Sequence, residues 1–277
     1  MMRYDSFDEW YQGLYRDRAP VIPAARSYAL LHERAPRSAV LLVHGYAGYP
    51  GELVSVAQAL YEAGHDCFVP RLPGMGTSGR DFVRTSRFDW LSLVDRAARF
   101  LSSNYDSISI LGHSMGCLLS VIEATAVKCS SLVLAMPAFR MPALEDSRLA
   151  LAALVRKDIP TKWAPDPRYH LHYEGAPADD LKLGAEYYSH LYPRQLVQLS
   201  RLVREATSAR ERLDCPALIL ASHTDAVTDP GAVEDWAGKA RIEWIEGASH
   251  FVFYDIDEEA ERRAIEESVD FISSHLG

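Results

Sequence analysis

The chain has 277 residues, of which 48% are hydrophobic and 24% are charged, and its formal net charge is -9. This length suits one large domain with a substantial core and room for an inserted subdomain. The negative charge and the dispersed Lys and Arg residues argue against a nucleic-acid partner, and no stretch approaches the ~20 apolar residues of a membrane helix. We expect a soluble protein that acts on neutral or weakly polar small molecules without stable insertion into a membrane.

The beginning of the chain and the cysteines both bear on the cellular compartment. Residues 1–10 include Asp5, Asp8 and Glu9 and lack the apolar core of a signal peptide. The four cysteines show no Cys-x-x-Cys spacing, which fits a reducing compartment and argues against a zinc site or a disulfide framework. They are Cys67, Cys117, Cys129 and Cys215. We therefore predict a cytoplasmic protein in which each cysteine is a small core residue.

Apolar runs rich in β-branched residues alternate with segments of helical periodicity from about residue 27 onward. This alternation is typical of an α/β fold with a mostly parallel sheet and helices on both faces. Short buried strands are predicted at 39–43, 66–69, 107–111, 132–135, 217–221 and 241–245, with an edge strand at 28–32. Helices are predicted at 52–63, 90–102, 116–127 and 257–276, and Gly64 ends the first of them.

The alternation breaks between about residues 137 and 213, where prolines cluster and no buried strand is evident. Aromatic residues are frequent there, namely Trp163, Tyr169, Tyr173, Tyr187, Tyr188 and Tyr192. An insertion at this point lies over the carboxyl ends of the strands, where open α/β sheets bind their ligands. We predict a core formed by 1–136 and 214–277 and an inserted cap at 137–213.

The sequence Gly-His-Ser-Met-Gly at 112–116 directly follows one of the predicted strands. A Gly-x-Ser-x-Gly pentad at a strand-to-helix turn is typical of a nucleophile elbow, in which a strained serine is exposed and the glycines leave room for neighbouring backbone. The first amides of the following helix can stabilise negative charge beside the serine. We predict that Ser114 is a nucleophile, although the pentad by itself also occurs in turns without chemistry.

A serine nucleophile needs a base and a carboxylate that orients the base. His250 follows the last predicted strand and is the predicted base, which gives the chain order Ser, Asp, His. Asp225 lies in the loop after the strand at 217–221 and is the predicted carboxylate. The alternative, Asp229, precedes Pro230 and better suits the N-cap of a short helix.

The same chemistry needs hydrogen-bond donors for the oxyanion. A glycine-containing loop follows the predicted strand at 39–43 and can turn a backbone N–H toward the serine. We predict that the backbone N–H groups of Tyr46 and Met115 form this oxyanion hole. His44 precedes the loop, and we predict that it hydrogen-bonds locally rather than acting as a base.

These motifs together resemble the α/β-hydrolase superfamily over nearly the whole chain. Within it, the stretches 70–77, 89–90 and 222–230 resemble the small bacterial carboxylesterases and monoacylglycerol lipases with a short cap. That family usually has histidine where Met75 stands, and often has leucine where His113 stands. Both positions lie near the predicted site, so these departures bear on the natural substrate rather than on the reacting groups.

The sequence thus predicts a serine hydrolase of carboxylic esters with short to medium acyl chains, either a carboxylesterase or a monoacylglycerol lipase. We expect this hydrolase to need no cofactor or metal and to exist as a monomer or homodimer. The residues predicted to bind substrate are Gly45, His113, Leu118, Phe139, Val227 and Phe251. The apolar side chains of the cap favour an apolar acyl chain, although they equally suit a cap core. His170 and His172, without a third ligand, are interpreted as a surface feature rather than a metal pair.

Several alternatives stay open at this point. Thioesterases, amidases and carbon-carbon hydrolases of this fold use the same three groups, and hydroxynitrile lyase or perhydrolase activity is also compatible. Dehalogenase and epoxide hydrolase chemistry is disfavoured because it uses an aspartate where Ser114 stands. A non-catalytic ligand-binding protein of the same fold is the alternative from another class, and a fluorophosphonate probe would distinguish it because only an activated serine reacts.

Overall fold

A seven-stranded sheet forms the centre of the protein in a computed structural model that describes residues 10–34, 37–144, 148–164 and 177–276. The strands in chain order are β1 (Tyr28–Leu30), β2 (Ser38–Val43), β3 (Asp66–Val69), β4 (Ser107–His113), β5 (Ser131–Ala135), β6 (Ile159–Pro160), β7 (His190–Leu191), β8 (Ala217–Ala221) and β9 (Arg241–Trp244). The spatial order of the large sheet is β1-β3-β2-β4-β5-β8-β9, and β6 pairs separately with β7. Within the large sheet β1 is antiparallel to β3 and the other pairings are parallel. All seven strands predicted from sequence are present, but β9 lies at the edge of the sheet and is partly exposed rather than buried.

Helices cover both faces of this sheet, as the alternating pattern predicted. The helices in chain order are α1 (Val54–Glu62), α2 (Gly79–Phe82), α3 (Arg87–Asn104), α4 (Met115–Ala124), α5 (Leu149–Val155), α6 (Pro177–Leu183), α7 (Pro193–Ala209) and α8 (Glu258–Ser274), and those on the faces of the sheet are α1, α3, α4 and α8. None of the helices in the described ranges is both long and apolar enough to cross a bilayer.

Successive side chains of a central strand enter opposite cores because strand residues alternate between faces. Val40 and Leu42 pack with α1 and α8 on one face. Leu41 and Val43 pack with α3 and α4 on the other. Since helices cover both faces, the central strands β2 and β4 are buried along their whole length. The polar Ser109 in β4 is satisfied by a hydrogen bond with Ser131 at 2.8 Å.

Capping residues set several of the helix ends. Helix α3 begins at Arg87, three residues before its predicted start, because Ser86 and Asp89 form a capping box with Ser86 N–H donating to Asp89 Oδ2 at 2.9 Å. Helix α8 begins after Asp257, whose carboxylate accepts hydrogen bonds from the amides of Glu259 and Ala260. Gly64, at φ +96°, follows α1 as predicted.

The chain between β5 and β8 contains α5, α6 and α7, a π-helical turn at Gly184–Tyr188, and the small β6–β7 pair. Sequence analysis indicated neither this pair nor the helices. The two strands are only two residues long and partly exposed, so they produce no buried apolar run. Division of this segment into a separate cap stays a prediction, and Tyr169, His170, His172 and Tyr173 lie outside the described residues, as do Asp5, Asp8 and Glu9.

The inserted segment is held to the core by the loop that follows β3. Tyr187 Oη accepts a hydrogen bond from Thr77 N–H at 2.8 Å and donates one to the Gly74 carbonyl at 3.0 Å. Gly79 N–H donates to Glu186 Oε2 at 2.7 Å. On the other side, the apolar face of α7 packs in the same core as α4. The insertion therefore lies beside the helix that follows Ser114.

The cysteines are all free thiols. Cys67, Cys117 and Cys129 are buried, as predicted for core residues, whereas Cys215 is only partly buried.

Candidate active site

The predicted functional residues converge at one edge of the sheet. Because β2, β4, β8 and β9 all run parallel in the sheet, with β5 between β4 and β8, their carboxyl ends open onto the same side. The loops after these four strands carry His44, Ser114, Asp225 and His250 respectively. Four segments that are far apart in sequence thus meet at one site.

Ser114 occupies the turn between β4 and α4 with φ 54° and ψ -117°, a strained conformation for a residue with a side chain. Its N–H donates to the Ala135 carbonyl at 2.9 Å. A Cβ atom on Gly116 would lie 2.0 Å from the Val43 carbonyl oxygen, and one on Gly112 would lie 2.6 Å from the Cys117 amide nitrogen. Both positions therefore require glycine, which explains the pentad in steric terms.

Ser114, His250 and Asp225 form a continuous chain of hydrogen bonds. His250 Nε2 lies 2.9 Å from Ser114 Oγ, and His250 Nδ1 lies 2.8 Å from Asp225 Oδ2. Each of the three residues is less than a tenth exposed. In this arrangement the imidazole can accept the hydroxyl proton while the carboxylate holds its other nitrogen.

The carboxylate of Asp225 is fixed by further donors from its own loop. Oδ1 accepts hydrogen bonds from the amides of Val227 at 2.7 Å and Thr228 at 3.1 Å, and Oδ2 accepts from Thr228 Oγ1 at 2.7 Å. Burial by itself raises the pKa of Asp225, but the hydrogen bond and charge of His250 and the bonds from Thr228 and Val227 outweigh it and lower the pKa to about 2. The group is therefore ionised at neutral pH.

Asp229, the alternative carboxylate, has partners other than the imidazole of His250. Its side chain accepts a hydrogen bond from Gly231 N–H at 2.9 Å, and so caps the 3₁₀ turn Pro230–Trp236 as predicted. It also pairs with Arg140 at 2.9 Å.

His44 fixes the loop that carries Tyr46. Its Nε2 accepts a hydrogen bond from Leu72 N–H at 2.9 Å, and its Nδ1 donates to the Gly45 carbonyl at 3.0 Å. Burial lowers the pKa of His44 to about 3, so the ring is neutral at ordinary pH and both bonds form together. The local hydrogen bonding predicted for this residue is present.

Glu52, which sequence analysis treated only as the start of a helix, also contacts this loop. A Cβ atom on Gly48 would lie 2.4 Å from Glu52 Oε2, so the carboxyl group rests directly against the Gly48 backbone. Burial raises the pKa of Glu52 to about 8, although hydrogen bonds with the backbone of Tyr49 and Gly45 oppose the rise. The available sequence signal was the acidic Glu52 directly before the apolar residues Leu53 and Val54.

The two predicted oxyanion donors lie on either side of Ser114 in the fold. Met115 is the first residue of α4, where N–H groups have no acceptor within the helix. Tyr46 follows Gly45, whose Cα is so close to the elbow that an added Cβ would lie 3.2 Å from Ser114 Cβ. The oxyanion role of the two amides stays a prediction.

The six residues predicted to bind substrate lie in different surroundings. Gly45 and Phe251 lie beside the reacting groups, with the Phe251 ring edge-on to His250 at 5.7 Å between centroids. Leu118 is fully buried in the core, and Phe139 stacks on Trp236 at 4.3 Å. The remaining two are Val227, which is about one-third exposed, and His113, which is buried below the site.

A mostly parallel sheet with a serine elbow after its central strand, and with an acid and a histidine on later loops, defines the α/β-hydrolase fold. The chain belongs to the alpha/beta hydrolase family, whose family model matches residues 40–263.

Within that family its relatives are esterases and lipases. Over 244 residues the chain is 28% identical to a thermostable monoacylglycerol lipase of Bacillus sp. (strain H-257), covering 86% of this chain and 91% of that one. A shorter match, 33% identical over 84 residues, covers 30% of this chain and 34% of a carboxylesterase of Bacillus subtilis (strain 168). The chain is thus an esterase-like and monoacylglycerol-lipase-like α/β hydrolase.

Solved structures agree on the fold. A structure from a study of the metagenome-derived lipolytic enzymes LipS and LipT matches with a TM-score of 0.77 and 24% identity, over 92% of this chain and 100% of that one. A soluble variant of the monoglyceride lipase of Saccharomyces cerevisiae matches with a TM-score of 0.73 and 17% identity, over 91% and 92% of the two chains.

Proposed function

We propose that this protein hydrolyses carboxylic esters through an acyl-enzyme, with Ser114 as nucleophile, His250 as general base and Asp225 as the carboxylate that orients the base. The observation that carries the proposal is the unbroken path of hydrogen bonds from Ser114 Oγ through both imidazole nitrogens to Asp225 Oδ2, at 2.9 and 2.8 Å. The strained backbone of Ser114 supports it, because such strain is costly and concentrates at functional sites.

In the first half-reaction Ser114 Oγ attacks the ester carbonyl carbon while its proton passes to His250 Nε2. The carbonyl oxygen becomes an oxyanion, which the N–H groups of Tyr46 and Met115 stabilise. The ionised Asp225 stabilises the imidazolium that forms. The tetrahedral intermediate then collapses, and the alcohol leaves with the proton from His250 Nε2.

In the second half-reaction water attacks the acyl-enzyme and gives a proton to His250 Nε2. Collapse of the new intermediate releases the carboxylic acid and returns the proton to Ser114 Oγ. The balance is one ester and one water for one acid and one alcohol, so no redox partner is needed.

We propose monoacylglycerols and related esters with short to medium apolar acyl chains as the substrate class. The long match to a monoacylglycerol lipase supports this choice, as do the aromatic residues of the inserted segment, of which Tyr187 and Tyr192 pack edge-on against Phe82 of α2. A panel of p-nitrophenyl esters and monoacylglycerols of graded chain length, with thioester and amide analogues, tests it. Higher kcat/KM on thioesters or amides would contradict the ester assignment.

The catalytic assignment is tested with Ser114→Ala and a fluorophosphonate probe. S114A should lose ester hydrolysis and probe labelling while its circular dichroism is unchanged. Ser120→Ala is the matched control, because Ser120 is buried on the same helix and its hydroxyl has no hydrogen-bond partner. If S114A kept most of its activity, or if the wild type did not react with the probe, the proposal would be wrong.

A further inference from the structure

His113, the residue before the proposed nucleophile, makes a hydrogen bond across the site. Its Nε2 lies 2.8 Å from the backbone carbonyl oxygen of His250, and both residues are buried although 137 positions separate them. This bond ties the turn that carries Ser114 directly to the loop that carries the proposed base. Neither reacting side chain takes part in it.

The protonation state of His113 follows from its surroundings. A carbonyl oxygen only accepts hydrogen bonds, so Nε2 carries the proton and donates it. Burial is the main cause that lowers the pKa of His113 to about 3, and the nearby His250 ring lowers it further. The hydrogen bond to the His250 backbone and the charge of Asp225 oppose this shift but are weaker. The ring is therefore neutral over the pH range in which an esterase works, and the donor is always present.

The other ring nitrogen of His113 has no partner. Nδ1 is buried without a hydrogen bond. A buried polar atom in this state costs about 1–3 kcal/mol, which an apolar side chain of similar size would avoid. An apolar side chain would therefore pack at position 113 at least as well as histidine does. What an apolar side chain could not supply is the hydrogen bond from Nε2–H to the His250 carbonyl.

The His113 ring is held in place by its neighbours. Its centroid lies 5.2 Å from the His250 ring and 6.4 Å from the Phe253 ring. The loop around His250 is also held by a hydrogen bond from Thr224 Oγ1 to the Ala248 carbonyl at 2.7 Å and by one from Ser249 N–H to Asp255. Both of these bonds fix residues before His250, whereas the bond from His113 reaches the backbone carbonyl of His250 itself.

We propose that His113 is a positioning residue whose N–H bond to the His250 carbonyl keeps the imidazole of His250 at the right distance from Ser114 Oγ. This inference rests on the proposed function. Asp225 holds the ring at Nδ1, and His113 holds the backbone from which the ring extends. With both ends fixed the base stays within reach of the nucleophile, whereas with Nδ1 alone fixed the ring can pivot about that bond.

The test compares variants that remove or keep the donor. His113→Leu removes it, and His113→Gln keeps a side-chain N–H that can reach a carbonyl. Phe253→Leu is the packing control, because Phe253 is buried against the His113 ring but makes no bond to His250. Activity is measured on a soluble p-nitrophenyl ester, together with the rate of fluorophosphonate labelling and the thermal midpoint of each variant.

We expect H113L to lower kcat roughly 10- to 100-fold, because small displacements of a reacting group have effects of this size. KM should change by less than about twofold, since no ground-state contact is lost. Labelling should slow in parallel, and the downfield proton signal of the His250–Asp225 hydrogen bond should broaden. H113Q should restore most of kcat and the signal, and F253L should lower the thermal midpoint with little change in kcat.

Three results would overturn the inference: H113L with kcat like the wild type, H113Q as impaired as H113L, or F253L as impaired as H113L. If H113L does not fold, His113→Phe replaces it as the variant without a donor. Failure of the proposed function is recognised separately by an active S114A, whereas an inactive S114A beside a fully active H113L contradicts the positioning role alone.

Discussion

Asp225 and Asp229 lie four residues apart in one loop, yet their carboxylates have different partners. Asp225 Oδ2 lies 2.8 Å from His250 Nδ1, whereas Asp229 Oδ1 lies 2.9 Å from Gly231 N–H. The amides of Val227 and Thr228 turn toward Asp225 Oδ1, so the chain wraps around the first carboxylate before it reaches the second. The two aspartates therefore form a natural pair of test and control.

Asp225→Asn should lower kcat on the order of 10³- to 10⁴-fold, because the amide favours the imidazole tautomer that cannot accept the Ser114 proton. Asp229→Asn should change kcat by less than about threefold, since it alters only a cap and a surface ion pair. Steady-state hydrolysis of a p-nitrophenyl ester measures both. Equal losses in the two variants would contradict the assignment of Asp225.

Gly116→Ala should impair folding rather than only catalysis. The added Cβ would lie 2.0 Å from the Val43 carbonyl oxygen, and because that atom belongs to the backbone of β2 it cannot move aside cheaply. We expect a loss of about 3 kcal/mol or more in the free energy of unfolding, at the upper end for overpacked sites. Gly13→Ala is the control, because none of the residues that the structure describes lies within 4 Å of its added Cβ. Urea unfolding compares the two, and a G116A variant as stable as G13A would contradict this steric account.

Glu52→Gln should change how stability depends on pH. The folded protein keeps the Glu52 proton up to about pH 8, whereas the unfolded chain releases it near 4.5. Between these values the unfolded state binds fewer protons, so stability falls as pH rises, by about 1.4 kcal/mol per unit for one proton. E52Q has no such proton and should lack this contribution.

Urea unfolding of the wild type and E52Q at pH 5, 6, 7 and 8 measures the difference. Glu62→Gln, at the exposed end of α1, is the control and should follow the wild type. Parallel pH profiles for the wild type and E52Q would show that Glu52 carries no such proton.

Tyr187→Phe should loosen the inserted segment. It removes the acceptor of Thr77 N–H and the donor to the Gly74 carbonyl, and it leaves both backbone groups buried. We expect a loss of about 1–3 kcal/mol for unsatisfied buried groups. The exposed neighbour variant Tyr188→Phe should cost less. Thermal unfolding compares the two variants, and equal midpoints would contradict the docking role of Tyr187.

The strands and the elbow were predictable because their signals are local. Short apolar runs rich in β-branched residues, such as 39–43, favour a buried parallel strand when they alternate with segments of helical periodicity. Ser114 stands between Gly112 and Gly116 because a side chain at either glycine would clash with neighbouring backbone, and this requirement is visible within five residues of sequence. Asp225 could be chosen over Asp229 because Pro230 favours a cap at the preceding residue.

The inserted segment was harder to predict. Helix α7 carries Leu196, Leu199 and Leu202 at helical spacing, but the surrounding prolines obscured the pattern. The β6–β7 pair gives no signal, since two residues are too few to show periodicity. Glu52 contacts backbone atoms of its own loop, and His113 binds a backbone carbonyl 137 positions away. Backbone atoms are the same at every residue, so neither contact leaves a pattern in the sequence.

By itself the sequence determined the α/β class and the order of the strands of the large sheet along the chain, and it led to the choice of Ser114, Asp225 and His250 as the proposed reacting residues. It could do so because turn sterics and strand burial act over a few neighbouring residues. Only the tertiary structure decided that His113 donates to the His250 carbonyl, that Glu52 rests against Gly48, and that Tyr187 anchors the inserted segment. The contacts of His113 and Tyr187 join segments far apart in sequence, whose separation in space is set by the packing of the whole sheet. Glu52 lies only four residues from Gly48, but its burial depends on the core that packs around that loop.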